Sequence, residues 1–77
     1  MNAEISEIIS IIEIFARSDS TITGNSKLLE DGIIDSLNVV QIISEIEATY
    51  DVKIGAMELS FDDFESPATL AAALKNI

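Results

Sequence analysis

Hydrophobic residues recur at helical spacing in three parts of this chain and thin out between them. In residues 3–17, Ile5, Ile8, Ile9, Ile12, Phe15 and Ala16 fall three and four apart, the pattern of one buried stripe on an amphipathic helix. Glu4, Glu7 and Glu13 take the other side. Glu4 and Glu7 suit the positive end of the helix dipole and Arg17 the negative end. Ile11 falls off the stripe and is expected to be half exposed. So many β-branched residues lower intrinsic helix propensity, which makes this helix dependent on its packing partners. Residues 36–51 repeat the pattern with Val39, Ile42, Ile43, Ile46 and Tyr50, while Glu45 and Glu47 point largely away. Residues 66–77 predict a further helix, with Ser66 as N-cap, Pro67 at the first helical position and Leu70, Ala73, Leu74 and Ile77 as the buried stripe.

The first connection, residues 18–35, opens with Ser18, Asp19, Ser20, Thr21, Thr23, Gly24, Asn25 and Ser26, a turn-rich run. A connection of this length in a small domain is often functional. Its second half carries Leu28, Leu29, Ile33 and Ile34, which are expected to pin the loop to the helices, with Gly32 permitting a tight approach or a positive φ. After the second long helix, Val52-Lys53-Ile54 reads as an extended exit that Gly55 breaks. Residues 60–65 predict one short helical turn with Phe61 and Phe64 on the same side, plugging the end of the bundle. The pattern predicts an all-α fold: a small four-helix bundle of three longer helices and one short third helix, with a long first loop.

Composition narrows the function. A chain of 77 residues suggests a single domain, 1–77, with a modest core. Hydrophobic residues at 48% are enough to build that core despite a net charge of -10. The absence of cysteine excludes disulfides and Cys-based zinc sites, and the absence of histidine removes the commonest general base and neutral metal ligand. The acidic pairs Glu30-Asp31 and Asp62-Asp63 lack the spaced ligands, mid-loop glycine and closing glutamate of a calcium loop, so they read as solvated faces. Neither a metal site nor an enzyme is expected. Ser6, Glu7, Ser10 and Glu13 interrupt the apolar residues of 5–16, well short of the roughly 20 needed to span a membrane. The N-terminus lacks the basic region of a signal peptide, so a cytoplasmic monomer is the default expectation. Fourteen acidic against four basic residues argue against nucleic acid and favour partners with basic surfaces.

Candidate chemistry gathers in Leu28-Leu29-Glu30-Asp31-Gly32-Ile33-Ile34-Asp35-Ser36-Leu37, which closes the loop and opens the second helix. Asp35 is a good N-cap, because its carboxylate accepts from free amides of the first turn. Ser36 then lies at a helix N-terminus, where unpaired N–H groups and the dipole favour an anion, so a phosphate ester on its hydroxyl is electrostatically tolerated. An ordinary capped helix start that contains a serine is the alternative. Leu37 and Val40 likewise admit two readings: peripheral core, or a small apolar patch beside Ser36 for a partner enzyme.

The wider context resembles the acyl and peptidyl carrier protein family. The triplet Asp35-Ser36-Leu37 follows Leu29-Glu30-Asp31-Gly32-Ile33-Ile34 and precedes a helix ending Ile46-Glu47-Ala48-Thr49-Tyr50-Asp51-Val52-Lys53-Ile54. The run Phe61-Asp62-Asp63-Phe64-Glu65-Ser66-Pro67-Ala68-Thr69-Leu70 looks like the junction of third and fourth helices in stand-alone aminoacyl carriers such as the D-alanyl carrier proteins, with Phe64 where those often have tryptophan. The resemblance covers nearly the whole chain. It implies 4′-phosphopantetheine attached covalently to Ser36 by a phosphopantetheinyl transferase, with the cargo held as a thioester. It further implies an adenylating ligase or acyltransferase that loads the thiol, and a downstream acceptor enzyme. Asp35, Leu37, Asn38, Val40 and Gln41 would be the partner-recognition residues. The stretch Asn38-Val39-Val40-Gln41 is neutral where fatty-acid carriers are acidic, which favours aminoacyl or specialised acyl cargo. The alternative function is an unmodified acidic helical interaction module.

Overall fold

The computed structural model describes residues 1–17, 21–55 and 57–77, and every regular element among them is helical. Helix α1 spans Ile5–Phe15, α2 spans Ser36–Tyr50 and α3 spans Pro67–Leu74, with a short 3-10 turn at Phe61–Phe64 between α2 and α3. The expected turn residues Ser18, Asp19 and Ser20 lie outside the described residues.

Each helix is shorter than its hydrophobic pattern, and the caps show why. Helix α1 starts after Glu4, whose backbone is extended at φ -77°, ψ 149°, and stops before Ala16, extended again at φ -65°, ψ 143°. Arg17 therefore stands beyond the last turn and does not serve the dipole of α1 as expected. Helix α2 stops at Asp51, which turns left-handed at φ 53°. The carboxylate of Glu47 then accepts from the Ile54 N–H at 2.8 Å, and Gly55 closes a turn with Glu58 through bonds of 2.9 and 3.0 Å.

Helix α1 is the centre of the fold. It touches both α2 and α3, and the 3-10 turn bridges α2 and α3 at one end. Ile8, Ile12, Leu28, Ile34, Ile42, Ile46, Phe64, Leu70 and Leu74 are fully buried. A helix with two helical neighbours buries a broader arc than one stripe. Ile11 is accordingly buried at 6% exposure, against the expectation of half exposure. Ile5, expected in the stripe, is 42% exposed at the edge of that arc, where its Cγ2 lies against the Gly24 turn. In α3 the same correction moves burial to Ala71, while Ala73 is half-buried. Phe64 plugs the end of the core, but Phe61, one turn further out, is 51% exposed. Each 3-10 turn advances by about 6 Å, enough to carry Phe61 past the rim.

The long first loop is stitched down as its apolar residues predict. The Ala68 N–H donates to the Gly24 carbonyl at 3.0 Å, and the Leu28 N–H to the Glu65 carbonyl at 2.8 Å. Ile22 adds an anchor that the pattern did not reveal. Among the described residues no helix is long and apolar enough to cross a membrane.

Candidate functional site

The site begins with the loop that delivers it. Leu28 is buried, and its carbonyl accepts from the N–H groups of Ile33 and Ile34 at 2.9 and 3.1 Å. The chain between them turns through Asp31 N–H to Lys27 carbonyl, 3.0 Å, and Gly32 N–H to Leu29 carbonyl, 3.2 Å. Gly32 has φ 71°, the positive value that its place in the sequence suggested. The turn drives Ile33 and Ile34 into the core at 6% and 2% exposure. The Ile33 carbonyl also accepts from the Arg17 N–H at 3.0 Å, which ties the end of α1 to the residues just before α2.

Asp35 follows and caps α2. Its Oδ1 accepts from the Asn38 N–H at 3.0 Å, and the Asn38 Oδ1 accepts from the Asp35 N–H at 3.0 Å. This is a capping box in which asparagine fills the role usual for Glu or Gln. The Asn38 amide group also donates to the Gln41 Oε1 at 2.9 Å. The second oxygen of Asp35, Oδ2, pairs with the Arg17 guanidinium. Asp35 as N-cap was read from the sequence, but the reciprocal Asn38 bond and the Arg17 pair were not. A signal for the cap existed in Asp35 and Asn38 three residues apart. The Arg17 pair spans the whole first loop and leaves no local trace.

Ser36 occupies the first position of α2 and is exposed. Leu37 and Val40, three apart on the outer side of the same helix, are 64% and 60% exposed. They are a surface pair beside Ser36, not peripheral core. Gln41 is exposed next to them, whereas Asn38 is turned inward at 8% exposure and held by the cap. The structure thus groups Asp35, Ser36, Leu37, Val40 and Gln41 on one end of α2 and places Asn38 beneath them.

Surface grooves among the described residues lie elsewhere. One runs between the start of α1 and α3, along Ala3, Ile5, Ala68, Ala71 and Ala72; another flanks Glu47, Asp51 and Lys53 at the far end of α2. Ser36 lines neither. Among the described residues no group of three or more carboxylates is arranged to hold a metal ion.

A helical domain that displays one serine on a braced, capped helix start offers a point of anchorage. The family model for the phosphopantetheine attachment site matches residues 6–74, and the chain belongs to that family. Its cofactor is 4′-phosphopantetheine, attached covalently. The residues present suit such a group: an exposed hydroxyl for the ester, first-turn amides and an arginine for its charge, and an open surface beside it. The chain is 28% identical to the D-alanyl carrier protein of Listeria innocua serovar 6a over 69 residues, covering 88% of each. The D-alanyl carrier protein of Listeria monocytogenes serotype 4a matches at the same 28% over 69 residues, again covering 88% of each. The chain is therefore a member of a carrier protein family.

Proposed function

We propose that Ser36 is the attachment residue and that residues 1–77 act as one free-standing carrier domain, with aminoacyl cargo preferred over acyl. The observation that carries this reading is the exposed Ser36 at the first position of a doubly capped helix, inside the stretch matched by the attachment-site family. Likeness to D-alanyl carrier proteins over 88% of their length supports an aminoacyl cargo. The neutral, apolar surface of Leu37, Val40 and Gln41 supports the same preference. We count the 3-10 turn as the short third member of a four-helix bundle, a reading supported by its place between α2 and α3.

When bound, the arm supplies a terminal thiol that holds the cargo as a thioester on a flexible tether. The chain's own residues provide position and recognition. Asp35 and Asn38 fix the first turn of α2 and so the backbone position from which the Ser36 side chain projects. Leu37, Val40 and Gln41 offer contacts to the partners: a phosphopantetheinyl transferase, a ligase or acyltransferase that loads the thiol, and an acceptor enzyme. Asn38 takes part in recognition through the cap it holds. Tethering raises the cargo's local concentration at each partner. The chain itself performs no catalysis, and it works as a cytoplasmic monomer.

The test is intact mass after incubation with coenzyme A, magnesium and a permissive phosphopantetheinyl transferase, beside Ser36→Ala. The expected result is one added phosphopantetheine on the natural chain and none on the variant, whose helical circular dichroism stays unchanged. Failure to load with several transferases would favour an unmodified acidic interaction module.

A further inference from the structure

Arg17 is one of only four basic residues in a chain of net charge -10, and it stands at the capped start of α2. Its main chain is fixed there by the 3.0 Å bond from its N–H to the Ile33 carbonyl, three positions before Ser36. Its guanidinium meets the Oδ2 of Asp35, the residue next to Ser36, while its side chain is 64% exposed. A guanidinium has five donors in a planar fork, enough to serve a second oxyanion beside Asp35, its ion-pair partner among the described residues. The other cation on this loop, Lys27, is paired with Glu30 at 3.5 Å.

Attachment of the arm at Ser36 places a phosphodiester anion beside the Asp35 carboxylate. Two like charges on adjacent residues repel, and the surrounding acidic surface adds to the repulsion. The amides of the first turn offset part of it. We infer that Arg17 is a positioning residue for the arm: its guanidinium spans the Asp35 carboxylate and the phosphodiester on Ser36, and so steadies the base of the tether. This inference rests on Ser36 being the attachment residue. Arg17 suits the role better than a lysine, because a planar fork serves two neighbouring oxyanions at once.

The experiment compares natural chain, Arg17→Gln and Arg17→Lys, each before and after loading, by thermal melting at low ionic strength. Loading is verified by mass. Arg17→Gln is expected to lower the melting temperature of the loaded protein by about 2 °C more than that of the unloaded protein. This excess should shrink in high salt, and Arg17→Lys should retain part of the stabilisation. The 31P resonance of the phosphodiester should differ between loaded natural chain and loaded Arg17→Gln. The excess should also persist in an Asp35→Asn background, which keeps a cap acceptor and removes the carboxylate charge.

A purely structural Arg17 lowers both forms equally and leaves the 31P resonance in place. That result overturns the inference while Ser36 loading still stands. Loss of the excess in the Asp35→Asn background overturns it as well, since Arg17 then acts through Asp35 alone. A natural chain that takes up no phosphopantetheine overturns the attachment reading and this inference together.

Discussion

Asp35 shows how much one side chain can coordinate. One oxygen closes the first turn of α2 and the other receives Arg17. Tyr50, at the other end of α2, has the opposite problem. Its hydroxyl is enclosed beside the Glu7 carboxylate and has no hydrogen-bond partner of good geometry among the described residues. Burial first, then the negative charge of Glu7, raises its pKa above 10.0. A raised folded-state pKa means that the neutral phenol favours the folded state. That contribution is present in full below the unfolded value and is lost as pH rises through the folded value. Tyr50→Phe is therefore expected to melt at or above the natural temperature at neutral pH, since it removes an unsatisfied group worth about 1 kcal/mol or more. It should also lose less stability than the natural chain between neutral pH and strongly alkaline pH in a melting series. Gly32 offers a cleaner backbone test. A Cβ there meets nothing within 4 Å, so Gly32→Ala carries only the strain of φ 71°. Urea unfolding should show a loss of about 1–2 kcal/mol, with the helices before and after it otherwise unchanged.

Each helical element begins with the same device. The N-cap residue's N–H is accepted by the side chain three residues on: Glu4 by Glu7 at 3.2 Å, Asp35 by Asn38 at 3.0 Å, Ser60 by Asp63 at 2.8 Å and Ser66 by Thr69 at 3.0 Å. Such boxes matter most where the helix is short. Helix α3 has only 8 residues, too few to hold its shape without caps and packing. Ser66 also accepts from the Thr69 N–H at 3.2 Å, and Pro67 sets the first helical φ. Ser66→Ala should cost about 1 kcal/mol in urea unfolding, and Ser66→Asp, which restores an acceptor, should recover most of it. Burial along each element was less legible than its ends. A single stripe assigns Ile11 outward and Ile5 inward, yet α1 has two helical neighbours and buries the arc that includes Ile11. Phe61 and Phe64 share a side of the 3-10 turn, but the core ends between them.

Taken as a whole, the molecule is a small core under a strongly acidic surface. Among the described residues only Arg17–Asp35 and Lys27–Glu30 are ion pairs, so most of its carboxylates lack a fixed cation. Self-repulsion at a net charge of -10 should then weaken the folded state at low ionic strength. Moderate salt, or a divalent cation, is expected to raise the melting temperature. An unchanged temperature from low to moderate salt would mean that the acidic groups are dispersed enough for water alone to screen them.

Helix periodicity, cap residues and the glycine turn act over a few residues, and for that reason they were readable along the chain. They located the three helices, the short turn before α3, the pinned first loop and the serine at the head of α2. Which side of α1 met two neighbours, where the core ended at Phe64, and that Asn38 turned inward while Leu37 and Val40 stayed exposed depended on how the helices came together. The Arg17–Asp35 pair belongs with these. Its partners are separated by the entire first loop, and no local rule joins them. Folding brings them together because the buried residues of that loop, Leu28, Ile33 and Ile34, draw the end of α1 against the start of α2.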